Sequence, residues 1–285
     1  MTIKIVGVIT SFYPEIDELE RNINSFLPYI DRLIIWENTP MEASVIDKLL
    51  TRLNNEKVEV RTTGKNEYLS KPFNTCFQWA KKQGYTHVLT MDQDSRFEPD
   101  QFPVYLNSIR NCTDNSIAVF APNAENFDQS QELLELKGVI TSGSVYVLQV
   151  FDDSLMFNED FLIYMVDAEY CIRARLKGYK IICFTKIHLI HNMGYAEKSK
   201  LGLVINNYSA QSTYYIIRNV ILTWKLHPDY MNRKAKCGFY RYKVFYRLGK
   251  IIFEKNAILK CKAILLALIH GHLSKGGRFD LVKQR

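Results

Sequence analysis

The chain has 285 residues, 47% of them apolar and 24% charged, with only 13 glycines and 8 prolines; this excludes disordered, collagen-like and low-complexity classes. The longest apolar run, Ala263–Ile269, is far short of the roughly eighteen residues a membrane span needs, and the first residues enter a strand-like run with no signal-peptide pattern. The formal charge of +7 is uneven, because fifteen Lys and Arg stand against three acids from Lys225 onward, whereas residues 1–224 carry 22 basic and 27 acidic side chains.

In chain order, Ile3–Thr10 is a short apolar run, as expected of a strand buried on both faces. Ile16, Leu19, Ile23, Phe26 and Leu27 recur at helical spacing between Pro14 and Pro28. Strand-like Arg32–Trp36, a helix marked by Val45, Ile46, Leu49, Leu50 and Leu53, and strand-like Val58–Thr62 follow. A helix over Pro72–Gln83 ends before Gly84, and His87–Met91 is a fourth strand. Such alternation predicts a mostly parallel α/β sheet flanked by helices, whose ligands bind beyond the carboxyl ends of the strands. Further on, Val139–Val150 is expected to be a strand pair around Ser142-Gly143-Ser144, Asp167–Leu176 a helix and Lys180–Phe184 a strand. From Thr213 the pattern is helical, basic and aromatic. The division expected is a catalytic domain over 1–224 and a basic helical extension over 225–285.

The first strand turn, Thr10-Ser11-Phe12-Tyr13-Pro14, has no glycine, which argues against a dinucleotide-binding fold, and no Walker sequence is present. The strongest chemical signal is Asp92-Gln93-Asp94-Ser95 after the fourth strand. Residues two apart in an extended segment share a side, so both carboxylates can face the open sheet edge. Hard carboxylate oxygens suit Mn²⁺ or Mg²⁺, which bridge nucleotide phosphates.

With these residues the chain resembles the family 2 glycosyltransferases, which have the GT-A fold, a Rossmann-like sheet. Val8-Ile9-Thr10-Ser11-Phe12 is similar to their opening strand, and Ile34-Ile35-Trp36-Glu37-Asn38-Thr39 to their second, with Glu37 where Asp is usual. Asp92-Gln93-Asp94-Ser95 resembles the bacterial rhamnosyltransferase-like branch. The run Phe161-Leu162-Ile163-Tyr164-Met165-Val166-Asp167-Ala168-Glu169-Tyr170 on to Arg173, with Gly178-Tyr179, is similar to the acceptor-side helix, with Val166 in the place of a Glu. His188-Leu189-Ile190-His191 with Gly194, and Tyr214-Tyr215 with Arg218-Asn219, complete the ordered set.

The resemblance implies an inverting, metal-dependent transfer of a sugar from a nucleoside-diphosphate donor. Asp94 and His191 are then the expected ligands of Mn²⁺ or Mg²⁺, with His188 the alternate, and Asp92 faces the ribose and the ion's waters. Asp167 is the expected general base; Glu169 is the other candidate, or orients the acceptor. Thr10, Phe12, Glu37, Asn66 and Lys71 are expected near the nucleotide, although Tyr68 stands where the family often has glycine. Ser142-Gly143-Ser144 lines the acceptor side or is a strand bend. The donor expected from the branch is dTDP-rhamnose, with UDP-galactose, UDP-galactofuranose or UDP-glucose as alternatives. The acceptor expected is a glycan or a polyprenyl-diphosphate-linked sugar of a bacterial surface polysaccharide.

Six scattered cysteines with no Cys-x-x-Cys pair fit reduced thiols in the cytoplasm. In the basic extension, Phe239, Tyr240, Tyr242, Phe245 and Tyr246 lie among Arg241, Lys243, Arg247 and Lys250, beside apolar Ile251, Ile252, Ile258, Leu259, Ile264, Leu265 and Leu268. That mixture predicts a peripheral position at the inner face of the plasma membrane. A nucleic-acid partner is not expected, since no nucleic-acid motif accompanies the charge; a nucleotidyltransferase would need a glycine-rich first loop.

Overall fold

The computed structural model describes residues 3–191, 196–198, 204–206, 208–251 and 254–281. Gly194, Ile252 and the last four residues, including Lys283 and Arg285, lie outside them. The chain divides into two compact units, residues 1–158 with 167–192, and residues 159–166 with 193–285.

In the first unit the order is β1 (Ile5–Ser11), α1 (Ile16–Asn24), β2 (Arg32–Glu37), α2 (Ile46–Leu53), β3 (Val58–Thr62), α3 (Ser70–Lys82), β4 (His87–Asp92), β5 (Ser95–Phe97), α4 (Gln101–Asn111), β6 (Ile117–Asn123), β7 (Leu133–Glu135), β8 (Val145–Val147), α5 (Val166–Leu176) and β9 (Lys180–His191). The strands form one sheet in the order β3-β2-β1-β4-β8-β6-β9-β5, with β7 also on β9. The first four strands of that order are parallel; β8 inserts antiparallel between β4 and β6. This is the α/β sheet with flanking helices that the alternation predicts.

Strand alternation supplies two covered faces. Ile5 and Ile9 of β1, Leu33 and Ile35 of β2, and Leu89 and Met91 of β4 join Leu19, Ile23, Phe102 and Tyr105 of α1 and α4 in one buried cluster. On the other parity, Tyr146 of β8 meets Phe77 of α3 and Tyr170 of α5, with Phe157 packed among them. Burying such aromatic surface stabilises the sheet at about 25 cal/mol per Å².

Two segments differ from the sequence reading. Val139–Val150 is not a strand pair, because only Val145–Val147 is a strand. Ahead of it the backbone turns sharply: Gly143 has φ +77°, and a Cβ there would sit 2.7 Å from Cγ of Pro122, so the position admits only glycine. The Lys180 strand runs on to His191 through an irregularity between the Pro122–Phe184 and Asn123–His188 pairings. That bulge re-aims its far end away from β6 and onto β5.

The second unit holds β10 (Ala196–Lys198) and β11 (Val204–Asn206), paired antiparallel, then α6 (Ala210–Leu226), α7 (Arg233–Phe239), a π-helical turn over Tyr240–Phe245, α8 (Tyr246–Ile251) and α9 (Ala257–His272). The helical extension is therefore present, and α6, whose residues the sequence reading assigns to the catalytic domain, packs along α9 within this unit. Arg218, fully buried in α6, donates to the carbonyls of Asp160, Lys275 and Gly277, and the Asn219 amide donates to those of Ile163 and Tyr164. The Arg218-Asn219 pair thus clamps segment 159–166 and the chain after α9. Among the described residues no helix is long and apolar enough to cross a membrane.

Candidate active site

The site grows from the carboxyl end of β4. Parallel pairing sets Thr10 beside Asp92 and Ser11 beside Glu37, so three strand ends fall in line. Beyond Asp92 the chain turns through Gln93 and Asp94 and re-enters as β5, antiparallel to the end of β9, with Ser95 opposite His191. That one pairing brings together residues about a hundred positions apart. Ligand atoms of Asp92, Asp94 and His191 all lie within 4.8 Å of one another. The His191 Nδ1 is 3.8 Å from Asp94 Oδ1 and 2.6 Å from the Ser95 hydroxyl, which fixes the ring. Among the described residues neither aspartate pairs with a Lys or Arg. Two carboxylates with no Lys or Arg partner among the described residues, and an oriented imidazole, form a donor set that fits Mn²⁺ or Mg²⁺. His188, three residues earlier and so of opposite strand parity, lies 3.3 Å from the Gln129 amide nitrogen and is outside the cluster.

Crowded, poorly solvated carboxylates hold protons more tightly. Burial first, then the charges of Asp94 and Asp167, push Asp92 up to about 7. Burial also raises Asp94, against the lowering effect of His191. An acid raised in the folded state binds more protons there than when unfolded, so metal-free stability falls as pH rises from the ordinary carboxylate range toward 7. In EDTA the melting temperature is accordingly expected to drop across that window, and Asp92→Asn to flatten the drop; a pH-melting series checks this.

Backbone pins that the sequence did not reveal surround the acids. Gln93 takes both polar groups of Phe12: its Oε1 accepts the Phe12 N–H at 2.8 Å and its Nε2 donates to the Phe12 carbonyl at 3.3 Å. The Asn22 amide donates to the Gln93 carbonyl. From below, Ser142 Oγ accepts the Asp92 N–H at 3.2 Å, and Gly143 and Ser144 exchange backbone bonds with Thr90. Ser142-Gly143-Ser144 is thus a buried support under Asp92.

On the nucleotide side, Thr10 is buried and Phe12 exposed beside the acids. Glu37 is buried, and its oxygens accept from the Thr39 N–H at 2.7 Å and the Ser11 hydroxyl at 3.3 Å, so it ties two strand-end loops together. Asn66 Oδ1 accepts the Tyr68 N–H, and Tyr68 adopts φ +59°, the conformation for which glycine is the usual residue. Lys71 pairs with Glu67 at 3.2 Å.

Asp167 opens α5. Burial raises its pKa, against hydrogen bonds from the backbone of Ala168 and Thr141, and its charge contributes to the rise at Asp92. Glu169, one position beyond the neighbouring residue, faces the interior: it is 1% exposed, and Arg173 grips it with Nε 2.8 Å from Oε1 and Nη2 2.8 Å from Oε2. Arg173 further donates to the carbonyls of Ser154 and Met156. Removing one partner of a buried pair leaves an uncompensated charge. Arg173→Met is therefore expected to destabilise the protein by about 3 kcal/mol in urea unfolding, and Glu169→Gln, which turns one acceptor facing Arg173 into a donor, is expected to destabilise it as well.

Comparisons with known proteins agree with this geometry. Residues 7–166 match the profile of Glycosyl transferase family 2. The whole chain is similar to the dTDP-rhamnosyl transferase RfbF of Shigella flexneri, 23% identical over 305 residues, covering 98% of this chain and all of that protein. Among solved structures, GalNAc-T7 with UDP, GalNAc and Mn²⁺ aligns with a TM-score of 0.61 at 11% identity, over 93% of this chain and 55% of that one, so the chain spans about half its length. Residues 1–349 of S. aureus TarS in complex with UDP-GlcNAc align with a TM-score of 0.56 at 12% identity, over 99% and 95% of the two chains. With the strand order, the acids after β4 and a family match over more than half its length, this chain belongs to glycosyl transferase family 2 and is a glycosyltransferase.

Proposed function

We propose that the chain is an inverting rhamnosyltransferase that moves rhamnose from dTDP-rhamnose to a hydroxyl of a glycan or polyprenyl-diphosphate-linked acceptor. It would act in the cytoplasm, at the inner face of the plasma membrane, in the synthesis of a bacterial surface polysaccharide such as O-antigen or capsule. The observation that carries the reading is the convergence of Asp92, Asp94 and His191 at the strand ends. Similarity along the whole chain to a dTDP-rhamnosyl transferase supports the donor.

Asp94 and His191 would hold Mn²⁺ or Mg²⁺, with Asp92 toward the ribose and the ion's waters. A divalent ion there supplies a Lewis acid that neutralises charge developing on the leaving diphosphate. Thr10, Phe12 and the loop tied by Glu37 bound the nucleoside, with Asn66 and Lys71 on the next loop. Asp167 takes the proton of the acceptor hydroxyl as that oxygen attacks the anomeric carbon from the side opposite the diphosphate, which inverts the centre. Burial raises its pKa, which makes it a stronger base than an exposed carboxylate. Glu169, locked to Arg173, holds α5 in place and leaves the base role to Asp167. The donor and acceptor site lies within residues 1–224, and the basic extension over 225–285 carries membrane contact.

The test is a thermal-shift panel with Mn²⁺, comparing dTDP-rhamnose with UDP-glucose, UDP-galactose and UDP-galactofuranose. The largest stabilisation is expected from dTDP-rhamnose. A larger one from any UDP-hexose would move the donor to that sugar.

A further inference from the structure

Helix α9 is apolar on two sides and contains no Asp or Glu. Lys260, Ala263, Ile264, Ala267 and Gly271 recur at helical spacing and are buried. This side lies so close to α6 that a Cβ on Gly271 would stand 2.8 Å from Cβ of Ile221. Between those residues runs a second stripe at the same spacing, Ile258, Leu265 and Ile269, continued by Leu273 just past the helix end. These four are exposed, from 89% at Ile258 to 44% at Ile269, and Lys262 is the cation among them. A helix facing water on that side would carry polar residues there, so the stripe marks an interaction surface.

We propose that this stripe is the protein's contact with the surface of an anionic lipid bilayer, with α9 lying in the plane of the interface. The inference deepens the membrane part of the proposed function and rests on it. Charge favours lipid over a second copy of the chain. The extension has fifteen basic residues against three acids. One of those acids, Glu254, is buried against Lys260 at 2.6 Å, and Asp280 pairs with Arg278 at 3.1 Å. Two copies meeting through α9 would oppose like charges, whereas an anionic leaflet neutralises them.

Exposed amphipathic rings on the π-helical turn and on α8 strengthen the choice. The Arg241 guanidinium lies 4.4 Å from the ring of Tyr242 and Lys250 4.6 Å from that of Tyr246, so aromatic bodies and cationic heads are offered together. The structure also revises which residues of the extension can take part. Ile251 and Ile264 are buried, and Arg247 turns inward to donate to the Thr213 hydroxyl at 2.7 Å.

The test is flotation of the full chain with phosphatidylcholine vesicles, with and without phosphatidylglycerol, in the absence of nucleotide sugar. Binding is expected only with phosphatidylglycerol and is expected to weaken with salt. Leu265→Gln with Ile269→Gln should weaken it about tenfold or more while the melting temperature and the dTDP-dependent thermal shift stay at wild-type values. Ile258→Gln, at the most exposed position, is the second variant should the double one lose its fold, and it too should bind measurably less. The proposal is overturned if the wild type does not float with anionic vesicles, or if the folded variants float as well as it does. It is equally overturned if ultracentrifugation shows a dimer that these substitutions dissolve. A wrong donor would appear in the nucleotide shifts alone and leave flotation unchanged.

Discussion

Asp167→Asn is expected to lower sugar transfer by about a hundredfold or more while donor affinity stays within a few-fold of wild type. The acceptor hydroxyl has a high pKa, and general-base removal of its proton is worth roughly a hundred- to ten-thousand-fold in rate. The amide keeps the shape of the carboxylate and its bond from the Ala168 N–H but has no basic oxygen. Donor binding is expected to survive because the strand ends and the Asp92–Asp94–His191 cluster are built without Asp167. The comparison variant is Glu169→Gln. With its carboxylate held by Arg173 inside the fold, Glu169 should show a loss that follows stability rather than the chemical step. Normal transfer by Asp167→Asn alongside a dead but folded Glu169→Gln would reverse the two roles.

The second large effect is expected at Asp94. Asp94→Ala should reduce transfer to background, and excess EDTA should do the same to the wild type, because neutralisation of the leaving diphosphate is lost in both cases. Metal-free stability should barely fall, since the Asp94 side chain is 42% exposed and its only ion-pair contact among the described residues is His191 at 3.8 Å. Full activity in either condition would remove the cation from the account. His191→Ala should be the milder loss, as both carboxylates remain.

Much of the frame was legible in the sequence because its first half is locally consistent. Apolar runs, helical spacing and Gly84 after the third helix put β1 to β4 within a residue or two of their observed places. The two aspartates were legible from their spacing after β4, although Asp92 closes that strand and Asp94 lies in the turn beyond it. His191 was reachable only through resemblance, since its place depends on the bulge in β9 and on antiparallel pairing with β5, a three-residue strand with no periodicity of its own. The Ser142-Gly143-Ser144 turn read as a strand bend because its partners, Thr90 and Asp92, are about fifty residues away in the chain. Glu169 and Asp167 look alike in sequence, two acids in one helical turn. Only packing separates them, one gripped by an arginine in the interior and the other at the helix start. Tyr68 illustrates the opposite case: a departure from a glycine pattern that leaves the backbone conformation of that pattern in place.

The most direct measurement of the central claim is calorimetric titration of dTDP into the full chain in Mn²⁺ and again in EDTA, repeated with Asp94→Ala. The account predicts that Mn²⁺ tightens dTDP binding by about tenfold or more in the wild type and has no effect in the variant. Equal affinity with and without the ion in the wild type would contradict it.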